Sequence, residues 1–100
     1  MHILDYCCLK LQEWVKDLPF WYEDTYMYAH ANFKRNKYFR YIRKAIRMAL
    51  DDYGIKHPVK RQWLSNVLYQ AMVDVLYYGD DMKTVWYGRI NQIMQLDLPE

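Results

Sequence analysis

The chain has 100 residues, of which 53% are hydrophobic and 26% charged, with a formal net charge of +2. One domain of this size buries roughly 60–65% of its unfolded surface, and the balance of apolar to charged residues excludes a disordered tail. Three glycines, three prolines and a single serine are too few turn formers for a many-stranded fold, and no stretch of about 18 apolar residues offers a membrane span.

The elements in chain order read as helices. Over residues 3–18, Leu4, Cys7, Cys8, Leu11, Trp14, Val15 and Leu18 fall on one apolar stripe at i, i+3, i+4, i+7 spacing. Asp5 suits the positive end of that helix, and Pro19 disfavours helical backbone at Leu18. Residues 20–33 read as a second, shorter helix with Pro19 near its first position, a short extended piece over Tyr26, Met27 and Tyr28 being the other reading. A basic break, Lys34-Arg35-Asn36-Lys37, leads into a helix over 36–53. Its core stripe is Phe39, Ile42, Ala45, Ile46, Ala49, Leu50 and Tyr53, and Gly54 is placed to end it in the left-handed conformation. Pro58 suits the first position of the next helix, over 58–78, whose inner face is Val59, Trp63, Leu64, Val67, Leu68, Ala71, Met72, Val75 and Leu76. Gly79 stops it. Asp80 or Asp81 then caps a helix over 81–96, with Met82, Val85, Trp86, Ile90, Ile93 and Met94 inward. The expected fold is all-α: a single domain over 1–100, four to five helices, antiparallel and bundle-like.

The adjacent cysteines Cys7 and Cys8 are poorly placed to pair with each other, and the sequence has no other cysteine. Without a disulfide, and with no secretory leader visible in the first residues, a cytoplasmic protein is expected.

The modest net charge conceals a sharp division. Residues 34–61 carry ten basic side chains (Lys34, Arg35, Lys37, Arg40, Arg43, Lys44, Arg47, Lys56, Lys60 and Arg61) against Asp51 and Asp52. The stretches on either side are each acidic by three charges. Lys37, Arg40, Lys44 and Arg47 recur every third or fourth residue, a continuous stripe with Arg43 beside it and Tyr38 and Tyr41 on another flank. Such a stripe attracts phosphate oxygens, and exposed rings stack on unpaired bases. It equally suits an acidic protein groove, with Arg and Tyr as anchors. A solvated outer face that binds nothing is the plain alternative.

No motif names a reaction. His2, His30 and His57 are scattered, so no metal site is expected. Ser65 lies within a helix, a poor stage for a nucleophile, and no glycine-rich phosphate loop is present. Neither enzymatic activity nor a cofactor is expected. Aromatic residues reach 18%, more than a small core needs, which makes Trp21, Tyr22 and Tyr26 candidate interface anchors. The His57–Pro58 bond is either a helix start or an isomerisable X-Pro recognised by a prolyl isomerase.

Small size, no catalytic groups and a basic surface beside surplus aromatics resemble the helical inhibitors that phages encode against host defence nucleases, of the anti-RecBCD or anti-CRISPR type. The resemblance implies stoichiometric binding to, and inhibition or modulation of, a larger enzyme acting on nucleic acid in the bacterial cytosol. Lys37, Arg40, Tyr41, Arg43, Lys44, Arg47, Lys60 and Arg61 are the residues expected to make the contact. Direct DNA or RNA binding through the same residues is the competing expectation, and a homo-oligomer burying its spare rings is a third.

Overall fold

Four helices make up the described residues: α1 (Ile3–Trp14), α2 (Asn32–Asp52), α3 (Pro58–Tyr78) and α4 (Met82–Met94). The computed structural model describes residues 1–15 and 32–99, with side chains for 1–15 and 39–99. Trp21, Tyr22 and Tyr26, with the helix expected over 20–33, lie outside the described residues, apart from the start of α2.

Two histidines open two of the helices. His2 has an extended backbone (φ −66°, ψ 144°), and its Nδ1 accepts from the Leu4 N–H at 3.0 Å. His57 repeats the arrangement (φ −64°, ψ 125°), with Nδ1 accepting from the Val59 N–H at 3.2 Å. A neutral ring that accepts at Nδ1 carries its proton on Nε2. In His2 that nitrogen stands 2.8 Å from Asn91 Oδ1, and in His57 2.9 Å from the Pro99 carbonyl. Each ring thus caps one helix and ties it to the C-terminal part of the chain.

Helix ends differ from expectation at four places. α1 stops at Trp14 rather than near residue 18, because Val15 is extended (φ −127°, ψ 93°) while its N–H still reaches the Leu11 carbonyl. α2 begins at Asn32, so Lys34-Arg35-Asn36-Lys37 is helix and not a break. Lys and Arg are good helix formers, and like-charge repulsion at i, i+4 costs only a few tenths of a kcal/mol. Asp81 makes no side-chain cap, because its backbone is helical (φ −58°, ψ −26°). The first amides of α4 instead meet the carbonyls of Gly79, Asp80 and Asp81 in tight i to i+3 turns. At its far end α4 stops at Met94, and Lys60 Nζ takes the Met94 and Leu96 carbonyls at 2.7 and 2.9 Å.

Gly54 ends α2 as its sequence position implies. It is left-handed (φ +70°); its N–H reaches the Asp51 carbonyl, and the Ile55 N–H reaches back to Leu50. Those two bonds make a Schellman turn, and Ile55 tucks under it at 8% exposure. The chain then reverses into α3.

The core joins Ile3, Leu4, Cys7 and Leu11 of α1, Ile42, Ala45, Ile46, Ala49 and Leu50 of α2, Leu64, Leu68, Ala71 and Met72 of α3, and Ile90 of α4. α3 packs most extensively on α4, and α1 on α2, with α2 against α3 between them. The result is an all-α, bundle-like domain of 45 × 24 × 22 Å. Three residues expected inside are not: Val59 is 42% exposed, Trp63 44% and Val85 58%. At about 100° per residue, Val59 and Trp63 stand well round from Leu64 and Leu68, beyond the arc that α2 and α4 cover. Val85 is turned away from Ile90 in the same way.

Hydroxyl–carboxylate bonds pin α1 from two sides. Tyr6 donates to Asp52 at the end of α2, and Tyr87 of α4 donates to Asp5 Oδ1 at 2.6 Å. Donation to a carboxylate holds each phenol protonated, pushing both from an ordinary value near 10 up to about 12. The folded chain therefore keeps protons that the unfolded chain releases above pH 10, so stability should fall as pH rises from 10 to 12. Urea unfolding across that range checks the slope, which Asp52→Asn should reduce. Gly-to-Ala exchange should have opposite signs at two sites where an added Cβ meets nothing within 4 Å. Gly54→Ala should destabilise by about 1–2 kcal/mol through its left-handed backbone. Gly88→Ala, within α4, should stabilise by up to about 1 kcal/mol. Thermal melts of the two variants decide both.

Candidate functional site

Packing divides the expected basic stripe of α2 into two flanks. On the α1 side, Lys44 Nζ stands 4.8 Å from the Trp14 ring centroid, a cation–π contact. Tyr41 lies on the same side, half-buried against the core, with its ring 6.2 Å from Trp14. It is a packing residue more than an open stacking platform. Arg40 is exposed, and Lys37 belongs to the backbone of α2 with its side chain outside the described set.

On the α3 side, Arg43, Ile46, Arg47 and Leu50 form one ridge at i, i+3, i+4, i+7. They meet Arg61, Gln62 and Ser65 of α3 across an open cleft of about 260 Å³. Ile46 and Leu50, both buried, are its apolar floor. The Gly54 turn explains which residues meet. The chain reverses there, which lays the last turns of α2 beside the first turns of α3. Arg43 to Leu50 belong to the last three turns of α2, and Arg61 to Ser65 to the first three turns of α3.

The three guanidiniums differ in freedom. Arg61 is held: Nη1 donates to the Ile55 carbonyl at 2.6 Å, and Nη2 lies 3.0 Å from Asp51 Oδ1. Arg43 and Arg47 are exposed, and among the described residues neither has a carboxylate at ion-pair distance. An anion entering the cleft therefore meets two uncommitted guanidiniums and one already oriented, above an apolar base. Hydrogen bonds from guanidinium to an oxyanion are among the stronger ones available to a surface.

The remaining candidates are spent on the fold. Lys60 points its ammonium into the end of α4, as described above, and not toward the cleft. His57 caps α3 and Pro58 is its first residue, with no cis peptide among the described residues. Burial pushes the Cys7 thiol up and that of Cys8 up to about 11, so neither offers a thiolate at neutral pH. Among the described residues no group of three His, Cys, Asp or Glu side chains could hold a metal ion, and no helix is long and apolar enough to cross a membrane.

Reading the helices one at a time misses Gln62 and Ser65 as cleft residues, Ile46 and Leu50 as its floor, and Asp51 as the partner of Arg61. The signal is the turn itself: Gly54 followed by Pro58 folds the end of α2 back beside the start of α3. Comparison with protein-family models, with curated proteins and with solved structures found no match to the chain.

The division between held and free arginines has a measurable consequence. Arg61→Ala should cost about 1–2 kcal/mol by orphaning the half-buried Ile55 carbonyl, its exposed ion pair with Asp51 adding little. Arg43→Ala and Arg47→Ala should each stay within about 0.5 kcal/mol of the parent. Urea titrations of the three variants test this.

Proposed function

We propose that this is a non-enzymatic interaction protein that docks the α2–α3 face onto an acidic surface of a larger protein. The observation that carries the reading is the convergence of Arg43, Arg47 and Arg61 from two helices on a recess with an apolar floor. An acidic side chain finds both of its needs there, guanidinium for its head and Ile46 and Leu50 for its stem. Tyr41, the ring that would have stacked on an unpaired base, is packed toward Trp14, which weighs against a surface built for single strands.

The resemblance to phage-encoded inhibitors supplies the class of partner: a host enzyme acting on nucleic acid, such as a defence nuclease or helicase, inhibited or modulated in the bacterial cytosol. Arg40 extends the same face outward and belongs to the proposed contact.

Tagged protein should capture one stoichiometric protein from bacterial lysate after nuclease treatment. The Arg40→Glu/Arg43→Glu/Arg47→Glu variant should lose it while keeping the circular dichroism spectrum and melting temperature of the parent. Capture of nucleic acid instead would mark direct nucleic-acid binding, with affinity falling by orders of magnitude between about 50 and 200 mM salt. Self-association in light scattering, with no other partner, would mark a homo-oligomer.

A further inference from the structure

Resting on the reading of the α2–α3 cleft as the docking surface, we propose that the cleft receives one doubly charged group, a phosphomonoester carried on a side chain of the protein partner. Charge is the first ground. Arg43, Arg47 and Arg61 line the cleft, and Asp51 pairs with Arg61, which leaves an excess of two positive charges. A phosphomonoester carries about −1.5 to −2 at neutral pH and three acceptor oxygens. A lone carboxylate, or one phosphodiester of a nucleic-acid strand, carries a single charge and leaves the second guanidinium uncompensated.

Arrangement is the second ground. Arg47 of α2 and Arg61 of α3 both line the cleft, so an oxyanion held by the two is gripped from both helices. Arg43 of α2 and Gln62 and Ser65 of α3 complete the polar lining. Guanidinium, hydroxyl and amide are all donors to phosphoryl oxygens. Arg61 reaches this position already fixed by the Ile55 carbonyl and Asp51, so less conformational freedom is lost when it binds. Ile46 and Leu50 give the cleft an apolar side along which the carbon stem of the phosphorylated side chain can lie. A nucleic-acid backbone would ask for cations in a row along α2, but Lys44 leaves that row to lie over Trp14.

The test follows the arginine Nε–H signals of the full ¹⁵N-labelled chain by NMR during titration with four probes. These are inorganic phosphate, the peptide acetyl-Ala-phosphoSer-Ala-amide, its Asp counterpart, and a 5′-phosphorylated trinucleotide. The phosphopeptide should saturate the Arg43, Arg47 and Arg61 signals and bind at least about tenfold more tightly than the Asp peptide. Arg47→Gln should weaken it by about tenfold and Ser65→Ala by less, both with unchanged backbone spectra. Equal affinity for the two peptides overturns the proposal, as do non-saturating shifts with phosphate and phosphopeptide alike, an adventitious ion only. Tighter binding of the trinucleotide than of the phosphopeptide also overturns it, in favour of a strand end. If the phosphopeptide fails while a protein is still captured through Arg43 and Arg47, this inference falls and the docking reading stands. If the phosphopeptide binds and no protein is captured, the anion site stands and the docking reading falls.

Discussion

The geometry of the α2–α3 hairpin descends from one backbone requirement, the left-handed residue at Gly54. With φ at +70°, the chain leaves α2 through two reversed hydrogen bonds, and Ile55 is carried back beneath the last turn. This fixes where α3 starts relative to α2, and so which residues of the two helices meet. Core and surface are set together. The same hairpin that puts Ile46 and Leu50 of α2 into the core with Leu64 and Leu68 of α3 brings Arg43 and Arg47 to one cleft with Arg61 and Ser65. A residue inserted between Gly54 and Pro58 would rotate and lift α3 against α2, and lose both at once.

Electrostatics then follows from packing more than from charge count. Ten basic side chains lie between residues 34 and 61, but the fold assigns the described ones to different tasks. Lys60 closes the carbonyl end of α4, where a cation suits the negative end of the helix dipole. Lys44 lies on Trp14, and Arg61 holds the turn. What remains open on the α3 side is Arg43 and Arg47, with Arg40 beyond them. The acidic residues are similarly occupied: Asp5 and Asp52 accept from tyrosines, Asp74 from the Trp86 indole, and Asp51 faces Arg61. Of these carboxylates only Asp51 faces a cleft arginine, so Arg43 and Arg47 are left without a carboxylate at ion-pair distance among the described residues.

Periodicity made most of the core legible in the sequence. Leu4, Cys7 and Leu11, the Ile42-to-Leu50 stripe and Leu64 to Val75 are all where helical spacing puts them. Gly54, Pro58 and Gly79 also occupy their expected stations, since each has a backbone constraint that the residue type alone reveals. The failures have a common cause: they depend on a second element. Val59, Trp63 and Val85 continue an apolar pattern past the arc that neighbours cover. His2 and His57 cap helices, a role that histidine fills here because Asn91 and Pro99 fix the other ring nitrogen. The cleft escaped a helix-by-helix reading for the same reason. Half of its lining is on α3, and a basic stripe on α2 shows nothing of how packing divides it.

Arg61 joins the two levels of the molecule. It is the only one of the three cleft arginines that bonds the turn itself, through the Ile55 carbonyl, and the only one paired with a carboxylate among the described residues. A ligand that engages Arg61 together with Arg43 and Arg47 therefore connects α3 to α2 across the cleft and, through Ile55, to the Schellman turn below it. Binding free energy at the surface becomes stability of the hairpin, because anything that binds only the folded arrangement favours it. The converse also holds. A change of backbone at Gly54 moves α3, and Arg61 with it, against α2, so the cleft has its shape only while the turn has its own.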